Sequence, residues 1–94
     1  MNNSSVAWTY KIHEDADRQL NDLGPAARAE ITDWLEKRIH GAADPRQLGK
    51  PLRKSRHGLW RYRMRDYRII CRLENKVLVV VVVAIGHRSS IYEE

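Results

Sequence analysis

Nine consecutive apolar residues, VLVVVVVAI at positions 77–85, constrain the fold more than any other stretch of this chain. Five adjacent valines disfavour a helix, because a branched side chain loses rotamer freedom against the preceding turn. The same branching favours a strand. A strand that is apolar on both faces belongs inside a sheet, with neighbours on either side and cover above and below. At nine residues the run is far shorter than the roughly 20 needed to cross a bilayer as a helix, so no membrane association is expected. The remainder of the chain has to supply the partner strands and the cover.

Two segments just before the run show the period of two that partner strands require. In LWRYRMR (59–65), Trp60, Tyr62 and Met64 point one way while Arg61, Arg63 and Arg65 point the other. Asp66 marks a tight turn, after which Tyr67, Ile69, Cys71 and Leu73 alternate with Arg68, Ile70 and Arg72. Glu74-Asn75 turns the chain into the apolar run, and Gly86 ends it. Near the N-terminus, residues 6–12 (VAWTYKI) read as a first strand, preceded by a loose polar leader over 1–5.

Between these strands the period changes. Glu14, Asp15 and Asp17 put acids where a first helical turn wants them, and Ala16, Leu20 and Leu23 form one apolar stripe. Gly24-Pro25 stops that helix and opens a second, whose core face is Ala27, Ile31, Trp34, Leu35 and Ile39, with Gly41 as its stop. Residues 42–57 read as a polar, basic loop with at most a short turn of structure. The expected fold is a single α/β (α+β) domain over 1–94 of order β-α-α-β-β-β. A helical hairpin packs on one face of a mostly antiparallel four-stranded sheet.

Ninety-four residues suffice for one core but not two, and 43% hydrophobic content with 31% charge is that of a folded chain. The lone cysteine, Cys71, excludes an internal disulfide and suits a reducing cytoplasm, where it reads as a small buried strand residue. No apolar segment follows a basic run near Met1, so no secretion signal is expected.

The net charge of +5 is unevenly placed. Ten of the 17 Lys and Arg residues fall between positions 46 and 72, a segment with one acid, Asp66, whereas positions 14–36 hold seven acids and two arginines. Positive charge gathered into a third of a chain suits a polyanionic partner. A strand carrying alternating arginines is most often simply a solvated face, and cover by an acidic protein is a further reading.

The candidate chemistry lies where this charge meets the sheet. Arg61, Arg63 and Arg68 are expected on one face, with His87, Arg88 and Tyr92 following the last strand in the same sheet. Guanidinium groups, an imidazole and a phenol gathered without carboxylates suit a phosphate-bearing substrate. Arg53, Lys54 and Arg56 in the basic loop, and Arg65 at the hairpin, are candidate RNA-backbone contacts. The four histidines show no ligand spacing, so neither metal nor cofactor is expected. RNA can be cut without metal by its own 2′-hydroxyl. That route needs charge stabilisation on the phosphoryl oxygens, which arginines supply, and proton transfer, for which His87 is the nearby group that titrates near neutrality. Tyr92 is placed to stack on a base.

The whole succession, ending in LWRYRMRDYRIICRLENKVLVVVVVAIGHRSSIY, resembles the RelE/ParE toxin superfamily over nearly the full chain. The most specific pieces are the WRYR strand after a basic loop, the YRIICR strand, and the apolar strand ending in GHR with a tyrosine four residues on. The resemblance to RelE toxins implies a type II toxin–antitoxin toxin that cleaves messenger RNA in the ribosomal A site. Arg61 and Arg63 stand where the RelE pattern often has lysine, while Arg68, Arg88 and Tyr92 match its arginines and tyrosine. It also implies a cognate RelB-like antitoxin covering the basic sheet, with operator DNA bound through the antitoxin. A ParE-like toxin that inhibits DNA gyrase by protein contact shares the fold and is the alternative. A nucleic-acid binder without turnover is a third.

Overall fold

A computed structural model describes residues 7–52 and 58–87. Strand β1 (Thr9–Ile12) leads into helices α1 (Glu14–Asp22) and α2 (Pro25–Trp34). After these come a 3₁₀ turn (Pro45–Leu48), the short β2 (Lys50–Pro51), β3 (Trp60–Met64), β4 (Tyr67–Glu74) and β5 (Val79–His87). The sheet order is β1-β5-β4-β3-β2, with β1 and β5 parallel and the other three ladders antiparallel. The expected α+β architecture is thus present, but with five strands in place of four. The fifth is the two-residue β2, which lies in the stretch read as loop and carries too little pattern to be legible.

The valine run is interior, as its two apolar faces demand: β5 lies between β1 and β4. It starts two residues later than expected, because the turn out of β4 is longer than Glu74-Asn75. Leu78 ends that turn with φ 56°, and Val77 is 67% exposed. Strand β1 likewise begins at Thr9; the leader over 1–5 lies outside the described residues.

Each helix is bounded by residues the sequence marks. His13 caps α1, its Nδ1 accepting a hydrogen bond from the Asp15 N–H at 3.1 Å, and Gly24-Pro25 starts α2. The end of α2 runs on as a π-turn over Leu35–Ile39. Its core residues Ile31, Leu35 and Ile39, all fully buried, are spaced by four and would drift off a single face at 3.6 residues per turn. The wider turn takes up that drift. Gly41, at φ 84°, then supplies the left-handed residue that ends the helix.

The helices cover one face of the sheet. Leu20, Ile31, Leu35 and Ile39 pack there on Tyr62, Ile69, Cys71, Val80, Val82 and Ile85 in one buried cluster. Tyr62 is fully buried, and its hydroxyl donates to the Pro45 carbonyl at 3.0 Å, which anchors the 3₁₀ turn to the core. Cys71 is fully buried, and burial pushes its thiol well up, so it is a packing residue.

Candidate nucleic-acid interface

The other face of the sheet carries the arginines. Register fixes their neighbours: Arg63 lies directly across from Arg68 between β3 and β4, and Lys50 directly across from Arg61 between β2 and β3. Facing residues on an antiparallel pair have Cβ atoms about 5 Å apart, where like charges oppose folding. Two such pairs side by side gather four cations on one face of the sheet. The electrostatics carry the same mark. The Arg61 guanidinium is held below its ordinary range, by burial first and by the charge of Arg63 second. Arg68 is itself buried, at 8% exposure, whereas Arg63 is exposed. Between the arginines the face is apolar: Ile70, across from Arg61, is 5% exposed and Val81, across from Arg72, is 2% exposed.

Elsewhere the basic segment spends its charge on the fold. Arg46 pairs with Asp44 at 3.6 Å and lies over the Trp8 ring at 5.6 Å, and Arg72 pairs with Glu74. Arg65, expected as an RNA contact, is the first residue of the two-residue hairpin turn. It has the positive φ (57°) that such turns need and pairs with Glu30 at 3.5 Å. Of the seven cations of this segment among the described residues, Arg46, Arg65 and Arg72 pair with acids, and Lys50, Arg61, Arg63 and Arg68 occupy adjacent register positions on one face.

His87 does not join that set. Register puts it opposite Tyr67 with the ring centroids 5.0 Å apart, on the helix side of the sheet. The cause is a bulge: Ile70 pairs with Ala84 but Cys71 with Val82, so Val83 is an extra residue in β5. Strict alternation from Val80 and Val82 would send His87 to the arginine face. The bulge reverses the phase, so that Ile85 turns into the core and His87 follows it. Gln19 is the residue that sequence reasoning missed here. Its Oε1 accepts from the Ile85 N–H at 2.8 Å, beyond the end of β1, and holds the bulged strand in place. Arg53, Lys54, Arg56, Arg88 and Tyr92 lie outside the described residues.

Two clefts flank β3. One of about 470 Å³ separates it from α2 and is lined by Trp34, Lys37, Arg38, Arg63 and Met64 among others. The second, of about 240 Å³, opens on the β2 side. Among the described residues no group of three or more His, Cys, Asp or Glu could hold a metal ion, and no helix is long and apolar enough to cross a membrane.

The sequence pattern of the family described as ParE toxin of type II toxin–antitoxin system, parDE, matches residues 10–92. The chain belongs to this toxin family. Within the RelE/ParE superfamily it is RelE-like. It is 28% identical over 87 residues to Toxin RelG of Mycobacterium tuberculosis, covering 93% of this chain and 98% of that one. Among solved structures, the RelBE2 toxin–antitoxin complex of M. tuberculosis matches with a TM-score of 0.79 at 26% identity, over 95% of this chain and all of the other. The isolated E. coli RelE toxin shares the fold, with a TM-score of 0.66 at 23% identity over 86% of this chain and 84% of that one.

Proposed function

We propose that this toxin cleaves messenger RNA in the ribosomal A site, using the 2′-hydroxyl of the RNA itself as nucleophile. The observation that carries this reading is the pair of like-charge couples, Lys50–Arg61 and Arg63–Arg68, side by side on the sheet face opposite the helices. Four cations in adjacent register positions suit a polyanion lying across them, and guanidinium groups match phosphate oxygens in geometry as well as charge.

In the reaction the 2′-oxygen attacks the neighbouring phosphorus and the 5′-oxygen departs. One proton leaves the 2′-hydroxyl and one is taken up by the leaving oxygen, giving a 2′,3′-cyclic phosphate and a free 5′-hydroxyl. Negative charge grows on the phosphoryl oxygens at the transition state. Arg63 and Arg68 meet that charge, Arg61 orients the backbone, and one preorganised donor is typically worth about 3–4 kcal/mol of barrier. Arginine is a poor base even when its pKa is lowered, so rate comes here from positioning and charge. Arg88 and Tyr92, matched by the family motif, complete the set, with Tyr92 stacking on a base. His87, turned to the Tyr67 side, is reassigned from proton transfer to holding the end of β5.

A RelB-like antitoxin is the proposed partner, its acidic residues covering the arginine face, with any operator DNA bound through the antitoxin. The similar M. tuberculosis chain comes from a toxin–antitoxin complex, which supports this pairing. The cytoplasm is the compartment the reading requires.

The test is to incubate the purified chain with programmed ribosomes and map messenger RNA ends, with the same RNA alone as control. Cuts only with ribosomes, lost in Arg68→Ala, are expected. Intact RNA in both, from folded protein, would overturn the reading. The family description names ParE, and it favours gyrase inhibition as the second reading, checked by a supercoiling assay on the same preparation.

A further inference from the structure

The smaller cleft beside β3 is lined by Gln47, Leu48, Gly49, Lys50, Arg61 and Arg63. We propose that it is a second phosphate subsite, which grips the backbone of the nucleotide next to the one under attack; this deepens the RNA-cleaving reading and rests on it. Among the described residues six line it, of which three are cations and none is an acid. Among the described residues Lys50 and Arg63 have no carboxylate partner, although four other basic side chains of the molecule, Lys37, Arg46, Arg65 and Arg72, all pair with nearby acids. Lys50 is held directly across from Arg61, so the two charges are fixed at the cleft by the β2–β3 ladder, not by chance side-chain placement.

Gly49 keeps the cleft in shape. A Cβ there would lie 2.3 Å from the Arg61 carbonyl oxygen and 2.6 Å from the Tyr62 ring, so only glycine lets the chain lie this close against β3. That approach brings Gln47 and Lys50 to the cleft that Arg61 also lines. Arg61 and Arg63 leave β3 about 7 Å apart on one face, far enough to hold separate phosphates. Arg63 lines the cleft and also faces Arg68, so the subsite is continuous with the reaction site.

An RNA backbone fits this lining better than an acidic peptide. Peptide docking depends on buried apolar anchors, and among the described residues Leu48 is the single apolar side chain here. The larger cleft on the α2 side offers Trp34 and Met64 as apolar surface, but Glu30 and Asp33 line it too.

Fluorescence anisotropy of the full chain tests the subsite, using a pentanucleotide RNA made uncleavable by 2′-O-methylation and the matching dinucleotide. Lys50→Ala is expected to weaken the pentanucleotide about 5- to 10-fold and to lower the slope of log affinity against log salt by about 0.7, while the dinucleotide is unaffected. Lys50→Arg should restore both. Equal losses on the two RNAs, or a loss confined to antitoxin binding, would overturn the subsite. So would an unchanged pentanucleotide affinity in Lys50→Ala when Arg68→Ala abolishes binding; that result would leave the RNA-cleaving reading standing. Absence of pentanucleotide binding by the unmodified chain would overturn the subsite and leave the ribosome-dependent reading to its own test.

Discussion

The two faces of the sheet obey opposite rules. On the helix side every facing pair is apolar or aromatic, and packing explains each residue: Tyr62 beside Ile69, Ile69 beside Ile85. On the other side Arg63 faces Arg68 and Lys50 faces Arg61, couples of like charge. The two faces are built from alternate residues of the same strands, so they share backbone, register and twist. The difference therefore teaches that packing accounts for the first face, whereas the clustered cations of the second are not explained by packing.

Substitutions can break that division. Ile31→Ala, which empties a fully buried site over the sheet, should cost about 2–5 kcal/mol in urea unfolding and leave the arginine face unaltered. Arg63→Ala should do the reverse. RNA cleavage should fall about 10²- to 10³-fold while stability stays constant or rises by a few tenths of a kcal/mol, as a like-charge pair is dissolved. A large loss of stability in Arg63→Ala would mean that the face is structural and the comparison mistaken.

Tyr62→Phe sharpens the same contrast on the packed side. It leaves the buried Pro45 carbonyl without its 3.0 Å partner and should cost roughly 1–3 kcal/mol by denaturant unfolding. The smallest effect is expected at high pH. Tyr10 donates to Glu36 at 2.7 Å, and burial, then this hydrogen bond, push its phenol up from 10.0 to about 12. The unfolded chain loses that proton near pH 10 and the folded one does not, so Tyr10 contributes fully below pH 10 and its contribution falls away toward pH 12. Unfolding followed across that window should be flatter in Tyr10→Phe than in the unmodified chain. Identical curves would show that the Glu36 contact is immaterial.

Much of the helix face was legible in advance because burial imposes a period. Ala16 and Leu20 on α1, and Ile31, Leu35 and Ile39 after it, are buried where their spacing put them. The arginine face was legible only in part. Arg61, Arg63 and Arg68 share it because they alternate with core residues, but Arg65 is at the turn and Lys50 belongs to a two-residue strand with no period to detect. Cations carry no mark that separates a structural ion pair from a free one, so the pairing of Arg46, Arg65 and Arg72 with acids waited on three dimensions.

The sequence by itself determined that residues 77–85 lie inside a sheet, that an αα-hairpin covers one face, and that the arginines of β3 and β4 share the other. These follow from hydrophobic period and strand alternation, which are local properties of the chain. Only the tertiary structure decided which side His87 takes and which cations stand together. His87 depends on a single extra residue at Val83, and one residue is enough to exchange the faces of everything after it. The bulge is defined by pairing with β4, and Gln19 meets the bulged strand from α1 at the Ile85 N–H, contacts that the residues around Val83 do not reveal.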